Sequence, residues 1–412
     1  MPPLTSALSN FAEGLFWCSA GAILYAYIGY PVLLVICALF FRRRKPADDH
    51  TPPVTVLIAA YNEEAGIVRK VRNTLELRYP QDRLEIVVVS DGSTDGTDDA
   101  VRRLNNPRVR LLRVEGRRGK THAQNEAVEH CRGEIIVFSD ATTVYHPDSV
   151  RRLVRHYSDP RVGAVSGRYQ YFDSSGRSPS GFGSIAFWNY ENVIKALQSR
   201  IATLTGCSGC IYSVRKSCYT PLPDDACSDL VEALAVVRNG YRVKFEPEAL
   251  AFEETTASTQ EEFRMRVRVA TRGMRGVLSV PELLKPWQHP WTAFQLFSHK
   301  VLRWLIPVFL FGILVTSAVL SERPAFRYLL TLEMLACVLA LASLVIPLHK
   351  RWKPLGLPLY FSILNAAFVV SLFEVLRGRR YVTWETVRAS GTAAASHGAS
   401  ESTFAASRRN HA

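Results

Sequence analysis

The sequence predicts an α/β domain with a mostly parallel sheet and helices on both faces, inserted between an N-terminal transmembrane helix and C-terminal transmembrane segments. Three observations predict it. From residue 54 to about 255, apolar strand-like runs alternate with helix-like stretches, the pattern of βαβ units. Two of those runs, Ile135-Ile136-Val137-Phe138-Ser139-Asp140 and Ile86-Val87-Val88-Val89-Ser90-Asp91, end in a carboxylate followed by polar residues. Each reads as a buried strand with an acid at its C-terminal tip. Apolar runs of bilayer-spanning length lie toward both ends of the chain.

Residues 15–41 carry almost no charge, and the cationic Arg42-Arg43-Arg44-Lys45 follows them. A cleaved signal peptide would carry its positive charge before the apolar core, so residues 1–45 read as a retained anchor. Pro46 to Pro53 is a polar linker, and a globular domain is expected over 50–258. Its strands are expected at 54–60, 84–89, 109–114 and 134–139, with further ones at Val162–Tyr171 and Tyr241–Phe252. Helices fall at 63–77, 95–104 and 119–131, and Gly176 to Gly183 reads as a flexible loop near an acceptor. Residues 259–300 read as amphipathic interface helices, punctuated by Arg264, Arg266, Arg268, Arg272 and Arg275 and followed by Trp287 and Trp291. Apolar segments follow at about 301–320, 328–348 and 355–376, within a membrane region of 301–388. The Ala/Ser-rich tail 389–412 reads as disordered.

Net charge is +13, from 50 Lys+Arg against 37 Asp+Glu. The basic residues cluster beside apolar segments, at 42–45, 349–353 and 377–380. That is the positive-inside pattern with contact to membrane lipids, and nucleic acid is not the expected partner. It places the globular domain in the cytoplasm, at an inner membrane crossed several times. A full crossing by 355–376 would put Arg377, Arg379 and Arg380 on the wrong side, so this segment is either re-entrant or interfacial, or the C-terminus is exported. Cys18, Cys37 and Cys337 are expected to pack as small hydrophobes. Cys207-Ser208-Gly209-Cys210 has no second pair at metal-site spacing and reads as a loop with reduced, incidental thiols.

Carboxylates at strand tips sit where open α/β sheets bind ligands. Asn62 and Glu63-Glu64, after the first strand, suit a helix start. Gly92 allows a tight turn, and Thr94 or Asp95 can cap the next helix. Asp91 is then free to point into a cleft and accept from the imide N–H of a uracil. Gly116-Arg117-Arg118-Gly119-Lys120 lacks P-loop spacing, but beside the two acids Lys120 is expected near a nucleotide. Asp140, with Thr142, is expected to hold Mg²⁺ or Mn²⁺, which needs only one or two carboxylates when phosphate oxygens complete its shell. Asp229, at the start of a helical run after Asp224 and Asp225, is the candidate general base; its alternative role is a helix cap.

These motifs, in this order, resemble the membrane-embedded family-2 glycosyltransferases of GT-A fold, the branch with cellulose, hyaluronan and poly-N-acetylglucosamine synthases. The resemblance covers about 15–388 and runs through Tyr61-Asn62-Glu63-Glu64, Ser90-Asp91-Gly92-Ser93, Gly119-Lys120 with Asn125, and Phe138-Ser139-Asp140-Ala141-Thr142. It continues in Val165-Ser166-Gly167, Gly240-Tyr241-Arg242-Val243, Phe245-Glu246-Pro247 and Trp384. It implies that Tyr61, Glu63 and Asp91 hold the nucleoside, that Asp140 ligates the metal, that Asp229 is the base, and that Trp188, Tyr190 and Glu191 approach the acceptor. The chain departs from the pattern at three places. Thr142 stands at the second acid of the metal motif, and Ser228 stands where an acid is usual. Arg264 to Ala270 lacks the tryptophan of Gln-x-x-Arg-Trp, though Arg268 is left to contact a diphosphate. The implied activity is inverting transfer from a nucleotide sugar, a UDP-sugar, to a growing exopolysaccharide, with a lipid-linked acceptor as the alternative. Other polysaccharide-assembly proteins are the implied partners, and a non-catalytic scaffold in that assembly is the competing class.

Overall fold

The protein is described from a computed structural model, which covers residues 2–41, 50–172, 181–255, 258–345 and 355–383. The basic clusters at 42–45 and 349–353, residues 176–180 of the glycine-rich loop, Trp384 and the tail lie outside the described residues.

The chain opens with α1 (Pro2–Leu24), which runs through one wide turn into α2 (Tyr30–Leu39). β1 (Val54–Ala60), α3 (Glu64–Leu75), β2 (Leu84–Asp91), α4 (Thr97–Arg102), β3 (Val109–Val114), α5 (Lys120–His130) and β4 (Ile135–Asp140) form the first half of the domain. The second half contains β5 (Val144–Tyr145), α6 (Ser149–Val154), β6 (Val162–Phe172), α7 (Gly181–Ile201), β7 (Ile211–Arg215), α8 (Ser228–Arg238) and β8 (Arg242–Glu254). α9 (Thr259–Leu278), α10 (Pro290–Leu296), α11 (Leu302–Trp304), α12 (Ile306–Val319), α13 (Pro324–Val345) and α14 (Gly356–Leu376) follow.

The eight strands make one sheet in the order β3-β2-β1-β4-β7-β6-β8-β5. Pairings β3–β2, β2–β1, β1–β4 and β6–β8 are parallel, whereas β7 and β5 pair antiparallel with their neighbours. The sheet is thus mixed. β7 enters between β4 and β6, a strand hidden in the sequence behind the Cys-Ser-Gly-Cys loop. β1 is buried at every position, because helices cover both faces of the parallel half. Val56, Ile58, Ile86, Val88 and Val137 point to one face, and Leu57, Val87, Val89, Ile136 and Phe138 to the other. This alternation fixes register, since a one-residue slip would exchange the two cores.

Ser6–Leu39 and Gly356–Leu376 are long and apolar enough to cross a membrane. Pro290–Trp304 and Ile306–Val319 qualify as a third only if the pair, bent by 55°, counts as one span. Cys18 and Cys337, expected to be packed, lie exposed on helix surfaces. α14 packs against α9 and α7. Its Ser371 hydroxyl donates to the Val267 carbonyl at 3.1 Å. Beyond it, Arg380 faces Asp225 at 3.6 Å, and Val382 lies against Gly119. The basic end of α14 therefore returns to the α/β domain.

Glu232 of α8 is buried behind this core, and burial pushes its carboxyl up to about 8. A carboxyl held neutral in the fold but ionised in the unfolded chain stabilises most at low pH, and that stability is lost as pH rises from about 4.5 to 8. Glu232→Gln should remove this dependence, narrowing the drop in unfolding free energy between pH 5 and pH 8 by roughly 3 kcal/mol. Identical pH profiles for the two proteins would contradict it.

Candidate active site

Parallel strands in register bring their tips to one edge. Ala60 pairs with Ser90 and Ala59 with Asp140, so Asp91 and Asp140 flank the end of β1. Two strand spacings, about 10 Å, separate them.

Asp91 is buried, and its carboxylate does not point free into a cleft as expected. Oδ1 accepts from the Arg118 amide at 2.8 Å and Oδ2 from the Gly119 amide at 2.9 Å. A buried carboxylate needs donors, and the amides of loop 116–119 supply them. Gly92, at φ +65°, makes the turn that lets this loop approach the tip of β2. On the same loop, the Arg117 guanidinium lies 4.1 Å from the centre of the Tyr61 ring.

Asn62 is not the cap of α3; Glu63 holds that position. Asn62 takes a left-handed conformation, and its Oδ1 accepts from the Thr94 amide at 2.8 Å. The Glu63 amide donates to Thr97 Oγ1 at 2.8 Å, and the Gly96 amide to Glu64 Oε2 at 3.1 Å. Asp95 does serve the next helix, accepting from the Thr97 amide at 3.0 Å. The loops after β1 and β2 are thus laced together, with Glu63 buried between them.

Lys120 begins α5, and its ammonium donates to Asp140 Oδ1. Burial works against the charge, but Asp140 more than offsets it, and Lys120 is held above the usual lysine range. Asp229 acts in the same direction, so the ammonium lies in the field of both acids. Asp229 is the second residue of α8, whose cap position is Cys227. Its Oδ1 accepts from the Leu230 amide and the Cys227 thiol, each at 3.1 Å. Oδ2 faces Gly209, where a Cβ would come within 3.0 Å of it. The Cys207–Cys210 loop, unremarkable in sequence, is therefore the wall beside Asp229. The Cys207 amide donates to the Asp229 carbonyl at 2.9 Å, and Lys195 Nζ donates to Ser208 Oγ at 2.8 Å. All eight cysteines are free thiols.

Thr142 donates to Glu253 Oε1 at 2.7 Å, and the Tyr169 hydroxyl donates to Glu253 Oε2. Sequence reasoning missed Glu253; its one signal was an acid directly after the apolar run Ala249 to Phe252. Trp188 meets Tyr169 edge-on at 5.0 Å and lies 6.0 Å from the Arg266 guanidinium. Tyr190 and Glu191, expected beside it at an acceptor, point elsewhere. Tyr190, two residues along the helix from Trp188, is turned from it by about 200°. The Tyr190 hydroxyl donates to the Tyr27 carbonyl at 2.9 Å, and the Glu191 carboxylate takes Arg303 and, at 3.3 Å, His299. Arg268 lies half-buried on α9, one turn before Arg272. Arg272 donates to Thr121 Oγ1 at 3.0 Å and to the Ala226 carbonyl, tying α9 to the start of α5.

No group of three or more His, Cys, Asp or Glu able to hold a metal occurs among the described residues. Near Asp140 in the chain, the carboxylate itself and the Thr142 hydroxyl are the hard oxygens that would suit a divalent ion.

Residues 55–219 match the model of Glycosyl transferase family 2. The chain is 27% identical over 236 residues to a poly-beta-1,6-N-acetyl-D-glucosamine synthase of Staphylococcus aureus (strain COL), a match covering 55% of each. The chain thus spans about half the length of that relative. It is 27% identical over 301 residues to the probable glycosyltransferase YdaM of Bacillus subtilis (strain 168), covering 70% of each. Among solved structures it is similar to the mannosyltransferase PcManGT from Pyrobaculum calidifontis, in complex with GDP-Man and Mn²⁺. There the TM-score is 0.69 at 26% identity, over 90% of this chain and 100% of that one.

Asp91→Ala would leave the amides of Arg118 and Gly119 without their acceptor. Each lost buried bond costs about 1–3 kcal/mol. Hydrogen exchange at these two amides should accelerate strongly, with a lowered melting temperature. Unchanged exchange would show that Asp91 does not hold the loop.

Proposed function

We propose that this family-2 glycosyltransferase transfers a sugar, with inversion, from a UDP-sugar donor to a growing polysaccharide at the cytoplasmic membrane. One observation carries the reading. The Lys120 ammonium is bonded to Asp140 while it lies in the field of Asp229. A strand-tip acid and a cation suited to a diphosphate are thus in contact, with the Asp229 carboxylate near enough for its charge to act on that cation.

In this reading Asp229 Oδ2 accepts the proton of the acceptor hydroxyl as its oxygen attacks the anomeric carbon. The bond from that carbon to the diphosphate oxygen breaks, and its electron pair leaves with the nucleoside diphosphate. Lys120 balances the developing charge, assisted by Arg268. Tyr61 offers the base a ring to stack on once Arg117 moves aside. Glu63 and Asp91 act through the laced loops that shape this pocket. Asp140 and Thr142 provide hard oxygens that fit Mg²⁺ or Mn²⁺, and either ion would neutralise charge on the diphosphate.

The acceptor would lie against Trp188, Tyr169 and Tyr171, an aromatic surface suited to a sugar face. Here α9 presents Arg266 rather than an aromatic ring to Trp188, which favours single transfer to a lipid-linked acceptor as the second reading. The return of Arg380 to Asp225 supports α14 as a re-entrant or interfacial helix, with both the catalytic domain and the 377–380 cluster on the cytoplasmic side.

Two measurements test the reading. Asp229→Asn keeps size and should lower kcat by about 10²–10⁴-fold while UDP affinity stays near wild type. Folded protein that keeps more than roughly a tenth of its turnover would remove Asp229 as the base. In calorimetry, UDP should bind more tightly than CDP; equal affinities would sink the uridine assignment.

A further inference from the structure

We infer that Glu253 supplies the second negative charge of the cation site at Asp140, acting through the hydroxyl of Thr142. The inference rests on the proposed donor site and names a residue that no sequence motif assigns to it.

The motif at the tip of β4 has one acid, Asp140, and a threonine two residues on. A divalent ion bridging a diphosphate can be held by one or two carboxylates, but each missing negative charge weakens the site. The fold restores that charge in space. β8 runs alongside β5, with Val144 opposite Phe252, and this pairing brings Glu253 beside Thr142. Thr142 Oγ1 then donates its only hydrogen to Glu253 Oε1 at 2.7 Å.

The direction of this bond matters. A hydroxyl that gives its proton to a carboxylate keeps its oxygen lone pairs for another partner and becomes a stronger donor to a cation. The Tyr169 hydroxyl occupies the other Glu253 oxygen and fixes the carboxylate's rotation. Lys120 meanwhile sits on Asp140, an ammonium in contact with the first carboxylate. A bound diphosphate would draw this ammonium to itself and leave Asp140 to the metal. Among the described residues no cation is hydrogen-bonded to Thr142 or Glu253, and their oxygens would add to that of Asp140. Glu253 is thus a positioning residue for Thr142 and a source of charge for the site.

The test is Mn²⁺ binding by the full-length protein in the presence of UDP, followed by electron paramagnetic resonance of the free ion. Glu253→Gln keeps the shape and should weaken Mn²⁺ binding by about tenfold or more, the factor carried by about 1.4 kcal/mol. Binding of uridine without metal should not change, which separates the effect from misfolding. The decisive variant is the double one, Thr142→Asp with Glu253→Gln, which moves the carboxylate back into the chain's own motif. It should recover most of the lost Mn²⁺ affinity. Wild-type Mn²⁺ affinity in Glu253→Gln, with affinity lost in Asp140→Asn, would overturn the inference and leave the donor site standing. Wild-type affinity in both variants would overturn the metal assignment itself. A double variant as weak as Glu253→Gln alone, with uridine binding intact, would show that the charge does not act at Thr142 and would also overturn it.

Discussion

The ion pair between Lys120 and Asp140 ties the site together. It joins the first residue of α5 to the last residue of β4. With Lys120 placed, the loop before it is placed too, and Asp91 holds that loop by two backbone amides. With α5 placed, Thr121 meets Arg272, and α9 is drawn over the entrance to α8. A partly buried ion pair of this kind adds little net stability, because desolvation and solvent screening offset most of the attraction. In the proposed reaction its value lies in position: it stores a cation where the leaving diphosphate would form.

The same logic links the domain to its apolar helices. Glu191 of α7 is buried against Arg303 and His299, and Tyr190 is bonded to the backbone of the first apolar helix. α7 thus has two working faces. One carries Trp188 toward Tyr169 and Glu253, and the other holds the helices that resemble membrane spans. A shift of the apolar helices would therefore reach the aromatic surface through a single rigid element, without any loop in between.

Much of the fold was legible because its strands are buried on both faces and read as apolar runs; 54–60 and 109–114 matched to the residue. β7 was not, since five residues beside a Cys-Ser-Gly-Cys loop carry no period long enough to separate strand from turn. In the site, Asp140 and Lys120 were legible as residue types at strand and helix ends, and the structure brings them into contact. Asp91 was legible as a strand-tip acid, but its partners were not, because a backbone amide leaves no mark in the sequence. Asn62 was misread for a related reason: a cap and a left-handed bridge draw on the same residue type. Tyr190 and Glu191 were assigned to the acceptor with Trp188 by the family resemblance, whereas Tyr190 lies about 200° round the helix from Trp188 and Glu191 is taken up by Arg303 and His299. Glu253 was invisible because it reaches Thr142 only through pairing between β5 and β8, across 111 residues.

In the proposed reaction Lys120 is a cation held in reserve for a diphosphate. Calorimetric titration of UDP and of uridine into wild-type protein and Lys120→Ala, each with Mn²⁺ present, tests it most directly. The account predicts that Lys120→Ala loses about tenfold or more in UDP affinity, the worth of one charge-assisted bond, while uridine binds as before. Equal loss for UDP and uridine, or no loss for either, would contradict it.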